Sequence, residues 1–196
     1  FLGNPFNGKI KDCHDCDHLA KQKRKYSYLD FLTTIKEMQQ KLAQDEDKYN
    51  NCMLLGNAFY NITYYGNARI FYQGNILQYE DYYDYRNNTS TKNYDLIIDC
   101  STAKTYYHLA FEQATNDEQR AKAQYMMAKC ERNEWYNDRY KNVTYTWQMW
   151  DEKVNFKAWD GFVNLKTKYQ HTQFYKECLN ECGYFYTYIT KKQPKK

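Results

Sequence analysis

The sequence predicts an all-α fold of long helices, and three observations carry that expectation. Turn-forming residues are sparse: the 196 residues include 7 glycines, and the two prolines, Pro5 and Pro194, stand near the ends. Valine, a strand former, occurs only at Val143, Val154 and Val163, so a fold of many short strands lacks its usual material. In the stretches from Ser27 to Leu42, 51–66, 101–131 and 162–189, apolar and small residues return every three or four positions, the period of a helix with one buried face.

In chain order, residues 1–26 read as an irregular segment holding a Cys/His/Asp cluster and the basic run Lys21-Gln22-Lys23-Arg24-Lys25. A first helix begins after Ser27, because Ser27 and Asp30 make a capping-box start and Leu32, Ile35, Met38 and Leu42 follow at helical spacing. Asp45 to Asp47 mark its end and the start of the next helix, expected from about Lys48 into the region of Arg69 to Tyr72. Within that second helix Leu55, Gly56, Ala58, Phe59 and Tyr60 alternate small and large residues, the pattern required where two helices approach closely. Residues 74–99, with Tyr79, Tyr82, Tyr83, Tyr85, Asn87 and Asn88, have little helical period and read as an insertion.

Ser101 or Thr102 can cap a third helix, in which Ala103, Tyr107 and Ala110 precede Phe111, and Asp117 can cap a fourth. There Ala121, Ala123, Tyr125, Met127, Ala128 and Cys130 again mix small and large, and the polar stretch Arg132 to Asn142 ends the element. Residues 143–160 form a second insertion, dense in aromatics at Trp147, Trp150, Phe156 and Trp159. A last long helix is expected from about Phe162 to Ile189, with Leu165, Tyr169, Phe174, Cys178, Leu179 and Cys182 on one face. The organisation is therefore an irregular segment at 1–26, a helical domain at 27–190 and a basic tail at 191–196.

The small–large patterns in residues 51–66 and 101–131 resemble the tetratricopeptide repeat. That resemblance implies antiparallel helix hairpins stacked into a superhelix, here with two long insertions, and a concave groove that binds a protein or peptide. Carried over residue by residue, it places Met53, Asn57 and Tyr60 of one hairpin, and Lys122, Tyr125, Lys129 and Arg132 of the next, on the partner-binding face. An asparagine there can hydrogen-bond the backbone of an extended peptide, and the cations can meet carboxylates of an acidic partner. More narrowly, Asn4-Pro5-Phe6, the cluster from Asp12 to His18, and Leu55-Gly56-Asn57-Ala58-Phe59-Tyr60-Asn61 are similar to the carboxy-terminal part of uncharacterised repeat-containing proteins of Bacteroidota. This second likeness implies an extracytoplasmic location, periplasm or cell surface, as a subunit of a larger assembly. It also implies no established catalytic activity and more protein upstream of Phe1; the absence of an initial methionine agrees with a processed product or fragment.

A net charge of +4 does not demand a nucleic-acid partner, and none is expected. With a mean hydropathy of −1.02 and no run of about 18 apolar residues, no transmembrane segment is expected either. The 23 tyrosines belong with 22 lysines and 18 asparagines, all with AT-rich codons, so genome composition accounts for them.

The densest chemistry lies in Asp12-Cys13-His14-Asp15-Cys16-Asp17-His18. Two cysteines at C-x2-C spacing and two histidines four apart can chelate zinc, with Cys178 and Cys182 as sulfurs that could complete a site. A Cys13–Cys16 disulfide or redox pair is the competing chemistry; haem attachment is disfavoured, because Asp17 stands where a histidine would be needed. Cys52, Cys100 and Cys130 fall at small-residue positions and read as core. No nucleophile–base–orienter set can be assembled around His108 or His171, and His14 to His18 lacks the metalloprotease glutamate, so the chain reads as non-catalytic. Trp147, Trp150 and Trp159 offer a stacking surface for a carbohydrate, or a clamp for the insertion. Sequons at Asn61, Asn87, Asn88 and Asn142 are what an asparagine-rich chain produces by chance.

Overall fold

The computed structural model describes residues 3–11, 24–68, 98–140, 154 and 156–191. These fall in two compact units, Phe1–Tyr106 and Tyr107–Lys196. Seven helices and no strand occur among the described residues: α1 (Tyr28–Ala43), α2 (Lys48–Asn61), α3 (Ser101–Gln113), α4 (Asp117–Tyr140), α5 (Asp160–Thr167), α6 (Gln173–Glu181) and α7 (Gly183–Thr190). The all-α expectation therefore holds. The expected helical domain at 27–190 spans parts of both units.

In the first unit α1 opens where the sequence places it. Ser27 Oγ accepts from the Asp30 N–H at 3.1 Å, and the Asp30 carboxylate accepts from the Ser27 N–H at 3.1 Å and its hydroxyl at 2.6 Å. Those bonds, the side-chain one foremost, hold the Asp30 carboxyl below the usual carboxylate range. The helix closes in a Schellman turn, with Glu46 N–H donating to Lys41 O and Asp45 N–H to Leu42 O while Asp45 sits at φ 60°. The chain then turns directly into α2 through Asp47, also left-handed at φ 38°.

The face of α1 differs from the expected stripe at one position. Phe31 and Ile35 are buried, with Met38 and Leu42 packed against them, whereas Leu32 is 59% exposed. A residue next to Phe31 lies about 100° around the helix from it, so only one of the two can face α2. Against these side chains α2 sets Leu55 and Ala58, both buried, and Leu54, Phe59 and Ile62 at the margin. This second helix stops at Asn61, well short of the expected region at 69–72. After Asn61 the Thr63 hydroxyl bonds Tyr60 O at 2.7 Å, and the chain folds back so that Ala68 N–H donates to Asn61 O at 2.9 Å.

The caps of α3 and α4 lie one or two residues earlier than expected. Asp99 accepts from the Ser101 N–H at 2.7 Å, and Asn116 accepts from the Gln119 N–H at 3.0 Å. Asp117 instead accepts from Arg120 at 3.1 Å. Ala103, Tyr107 and Ala110 are buried along α3, as their pattern predicts.

The second unit is built on α4, whose small-residue face receives α5. A Cβ on Gly161 would collide with the Gln124 carbonyl oxygen and lie 2.7 Å from Ala128 Cβ, so the two backbones meet where neither helix carries bulk. Asn164 donates to Gln124 Oε1 at 3.0 Å beside that contact. An aromatic core surrounds it: Tyr125 stacks on Phe162 and meets Phe174 edge-on, and Phe185 packs on Phe162 and Tyr175. The single last helix expected from Phe162 to Ile189 is three helices. One break is made by Thr172, which caps α6 by accepting from Tyr175 N–H, while the Glu118 carboxylate takes the N–H groups of Gln173 and Phe174. The other falls at Cys182, extended at φ −101°, whose sulfur accepts from Phe185 N–H at 3.4 Å. Capping donors and acceptors thus outcompete the continuous apolar period.

Candidate functional site: an amide clamp on a turn segment

Residues 4–8 form no helix and lie on the α1–α2 hairpin. Asn4 organises them: its side-chain oxygen accepts from Phe6 N–H at 2.9 Å, and its carbonyl accepts from Asn7 N–H at 3.2 Å, closing a β-turn around Pro5. Pro5 is fully buried and Phe6 is 5% exposed. The Phe6 ring lies 5.1 Å from Tyr26 and 5.5 Å from Phe31, centroid to centroid, within the cluster that includes Ile35, Leu55 and Ala58.

This turn cannot satisfy its own carbonyls, and α2 supplies the donors. Asn57 Nδ2 donates to Phe6 O at 3.1 Å; one helical turn later Asn61 Nδ2 donates to Pro5 O and Asn7 O, each at 2.9 Å. Both asparagines are buried, so each bond replaces a hydration that folding removed. The spacing of four places both amides on one side of α2. Gly8 completes the fit: a Cβ there would lie 2.7 to 3.0 Å from the Asn57 carboxamide. Asn7 and Gly8 themselves remain exposed.

The clamp unites two segments singled out in the sequence, Asn4-Pro5-Phe6 and the stretch from Leu55 to Asn61. Asn57, expected to hydrogen-bond the extended backbone of a partner peptide, here donates to the chain's own Phe6 O within a β-turn. Asn61, Phe6 and Gly8 were absent from the expected site, although two asparagines four apart on an otherwise apolar helix face are a legible signal of a specific polar contact.

The other expected partner-binding residues divide by exposure. Tyr60 and Tyr125 are fully buried, Lys129 is 3% exposed and Asn57 is buried, so four of the seven expected positions face the interior, while Met53 is half-buried. In the second unit burial raises the Tyr125 phenol far above the ordinary value, with Cys182 and Cys178 adding to the effect. Burial likewise pushes the Cys178 thiol up, with Cys182 adding to the effect and Lys129 opposing it. Lys122 remains exposed, with its Nζ 5.9 Å from the Phe174 ring, and Arg132 is half-buried, its guanidinium 5.1 Å from the Tyr184 ring.

Cys13, His14, Cys16 and His18 lie outside the described residues, as do Trp147 and Trp150. Among the described residues no group of three or more His, Cys, Asp or Glu side chains converges as a metal site. Cys52, Cys100, Cys130, Cys178 and Cys182 are all buried thiols, in line with the core role expected of the first three. Also among the described residues, no helix is long and apolar enough to cross a membrane. Compared with family models, curated proteins and solved structures, the chain shows no match.

Proposed function

We propose that this chain is a non-catalytic helical-repeat scaffold that binds another protein or a peptide, as a subunit of a larger extracytoplasmic assembly. One observation supports the reading above the others: α2 grips a non-helical segment through its main-chain carbonyls, with two carboxamides and one aromatic anchor. Main-chain hydrogen bonds of this kind supply affinity and a side-chain pocket supplies selectivity, the division of labour that peptide recognition uses at sheet edges. Lys122 and Arg132, the expected groove cations that keep surface, are the points at which an acidic partner would be met. Their charge should speed association at low salt and lose influence as salt shortens the electrostatic range.

The test isolates the chain with its partner from the native source and measures the affinity of that pair. A folded Lys122→Glu, Arg132→Glu variant should bind more weakly, with the deficit largest at low ionic strength. Unchanged affinity in that variant, with strong loss in Trp147→Ala, Trp150→Ala, would move the surface to the aromatic insertion and favour a carbohydrate or a different protein ligand.

A second reading rests on donor chemistry alone. Cys13, His14, Cys16 and His18 are soft and borderline ligands suited to zinc, which would bind them as thiolates and neutral imidazoles. Protein purified without chelator should then hold metal that a Cys13→Ser, Cys16→Ser variant lacks; a Cys13–Cys16 disulfide with no bound metal would remove the reading.

A further inference from the structure

We propose that the α1–α2 hairpin is a recognition site for a turn-forming peptide of the pattern Asn-Pro-Phe-x-Gly, filled here by the chain's own Asn4–Gly8 and able to take the same motif from another polypeptide. The inference deepens the scaffold reading and rests on it, since it names the chemistry of the ligand.

Each position of the motif has a separate physical reason. Asparagine at the first place closes the turn by accepting from Phe6 N–H at 2.9 Å. Proline at the second pre-sets the turn and gives its carbonyl to Asn61 at 2.9 Å. Phenylalanine at the third fills the pocket between Tyr26 and Phe31 and gives its carbonyl to Asn57. The fourth residue contributes main-chain groups alone, its N–H to Asn4 O at 3.2 Å and its carbonyl to Asn61 at 2.9 Å, and its side chain is exposed, so any residue but proline fits. The fifth is favoured as glycine, because a Cβ would lie 2.7 to 3.0 Å from the Asn57 carboxamide and displace it from Phe6 O.

The two helices of the hairpin also pack on each other directly. Phe31, Ile35, Met38 and Leu42 of α1 pack on Leu54, Leu55 and Ala58 of α2, and the Schellman turn fixes the connection between them. Withdrawal of residues 4–8 would therefore leave an open aromatic pocket and amide donors without their acceptors, a surface that favours refilling by the same chemistry. The grip is made by neutral groups, so it differs in kind from the cationic surface at Lys122 and Arg132.

The probe is a fluorescent nonapeptide carrying residues 3–11, titrated into the full chain and into its Phe6→Ala variant, in which the internal occupant has lost its anchor. The variant should bind the peptide saturably and at least about tenfold more tightly than the wild type, whose site is already filled. Replacing the peptide's phenylalanine by alanine, or its final motif glycine by valine, should abolish binding. Adding Asn61→Leu to the Phe6→Ala chain should do the same. Binding should change little between low and moderate salt, which separates this site from the salt-dependent partner surface; the scaffold reading can then fail or survive on its own test. Should Phe6→Ala lower the helical circular dichroism, the peptide should restore it. The proposal is overturned if the folded variant shows no saturable binding, if a less helical variant is not restored, or if the altered peptides or the Asn61→Leu chain bind equally well.

Discussion

Asn61 gives both of its amide hydrogens to the backbone of residues 5 and 7, and Asn57 gives one to residue 6. Asparagine is a poor helix former, so its presence at two buried helix positions is explained only by what it holds. Burial acts on titratable side chains by the same desolvation logic. The Tyr49 phenol, half-buried at the start of α2, is pushed up to about 12. A folded value above the unfolded one, about 10, means that the neutral phenol is favoured by folding. Its contribution is complete below about pH 10 and is lost as pH rises from there through the folded value near 12. Urea unfolding of the wild type should thus show stability falling across that window. Tyr49→Phe should flatten part of the fall; an unchanged pH profile in the variant would assign it to Tyr125, Tyr169 and Tyr175, whose phenols burial also raises.

Helix starts and stops show which signals are local enough to read. The α1 capping box and the break at Asp45 to Asp47 were legible, because the residues that decide them are three or four positions apart. The α3 and α4 caps lie earlier than expected, since Asp99 takes the N–H of Ser101 itself and Asn116 takes the Gln119 N–H that Asp117 could have accepted. The long last helix was misread because an unbroken apolar period masks two local caps, Thr172 and Cys182, and because Glu118, on α4, receives the first N–H groups of α6, which no periodicity in residues 162–189 reports. Two predictions belong to elements. Asp45→Gly should stabilise the protein by about 0.5 to 1 kcal/mol in urea unfolding, because glycine relieves the left-handed conformation at the α1 terminus and the Lys48 ion pair it loses is exposed. Gly161→Ala should destabilise the second unit by about 1 to 3 kcal/mol or more, because its Cβ would meet the Gln124 carbonyl and force α5 off α4. Wild-type stability in that variant would contradict the close α4–α5 contact.

For the whole molecule, the helical class was readable from composition and period, and so was the burial of Ala103, Tyr107, Ala110, Cys52, Cys100 and Cys130. The clamp was not, because it joins residues about fifty positions apart, and a turn of five residues carries no periodicity that names its docking site. The groove residues Tyr60, Tyr125 and Lys129 are buried, because a family pattern assigns faces by register alone and does not report which of them the chain's own core covers. The relation between segment and hairpin is thus what the structure adds, and it has a direct test. Gly8→Ala should cost about 1 to 2 kcal/mol in urea unfolding of the full chain, since the new methyl must displace the Asn57 carboxamide from Phe6 O. In an Asn57→Ala background that obstacle is gone, and the same substitution should cost about 1 kcal/mol less. A double-mutant cycle giving a coupling of that size would establish that α2 holds the turn through Asn57. Equal costs of Gly8→Ala in the two backgrounds would contradict the clamp.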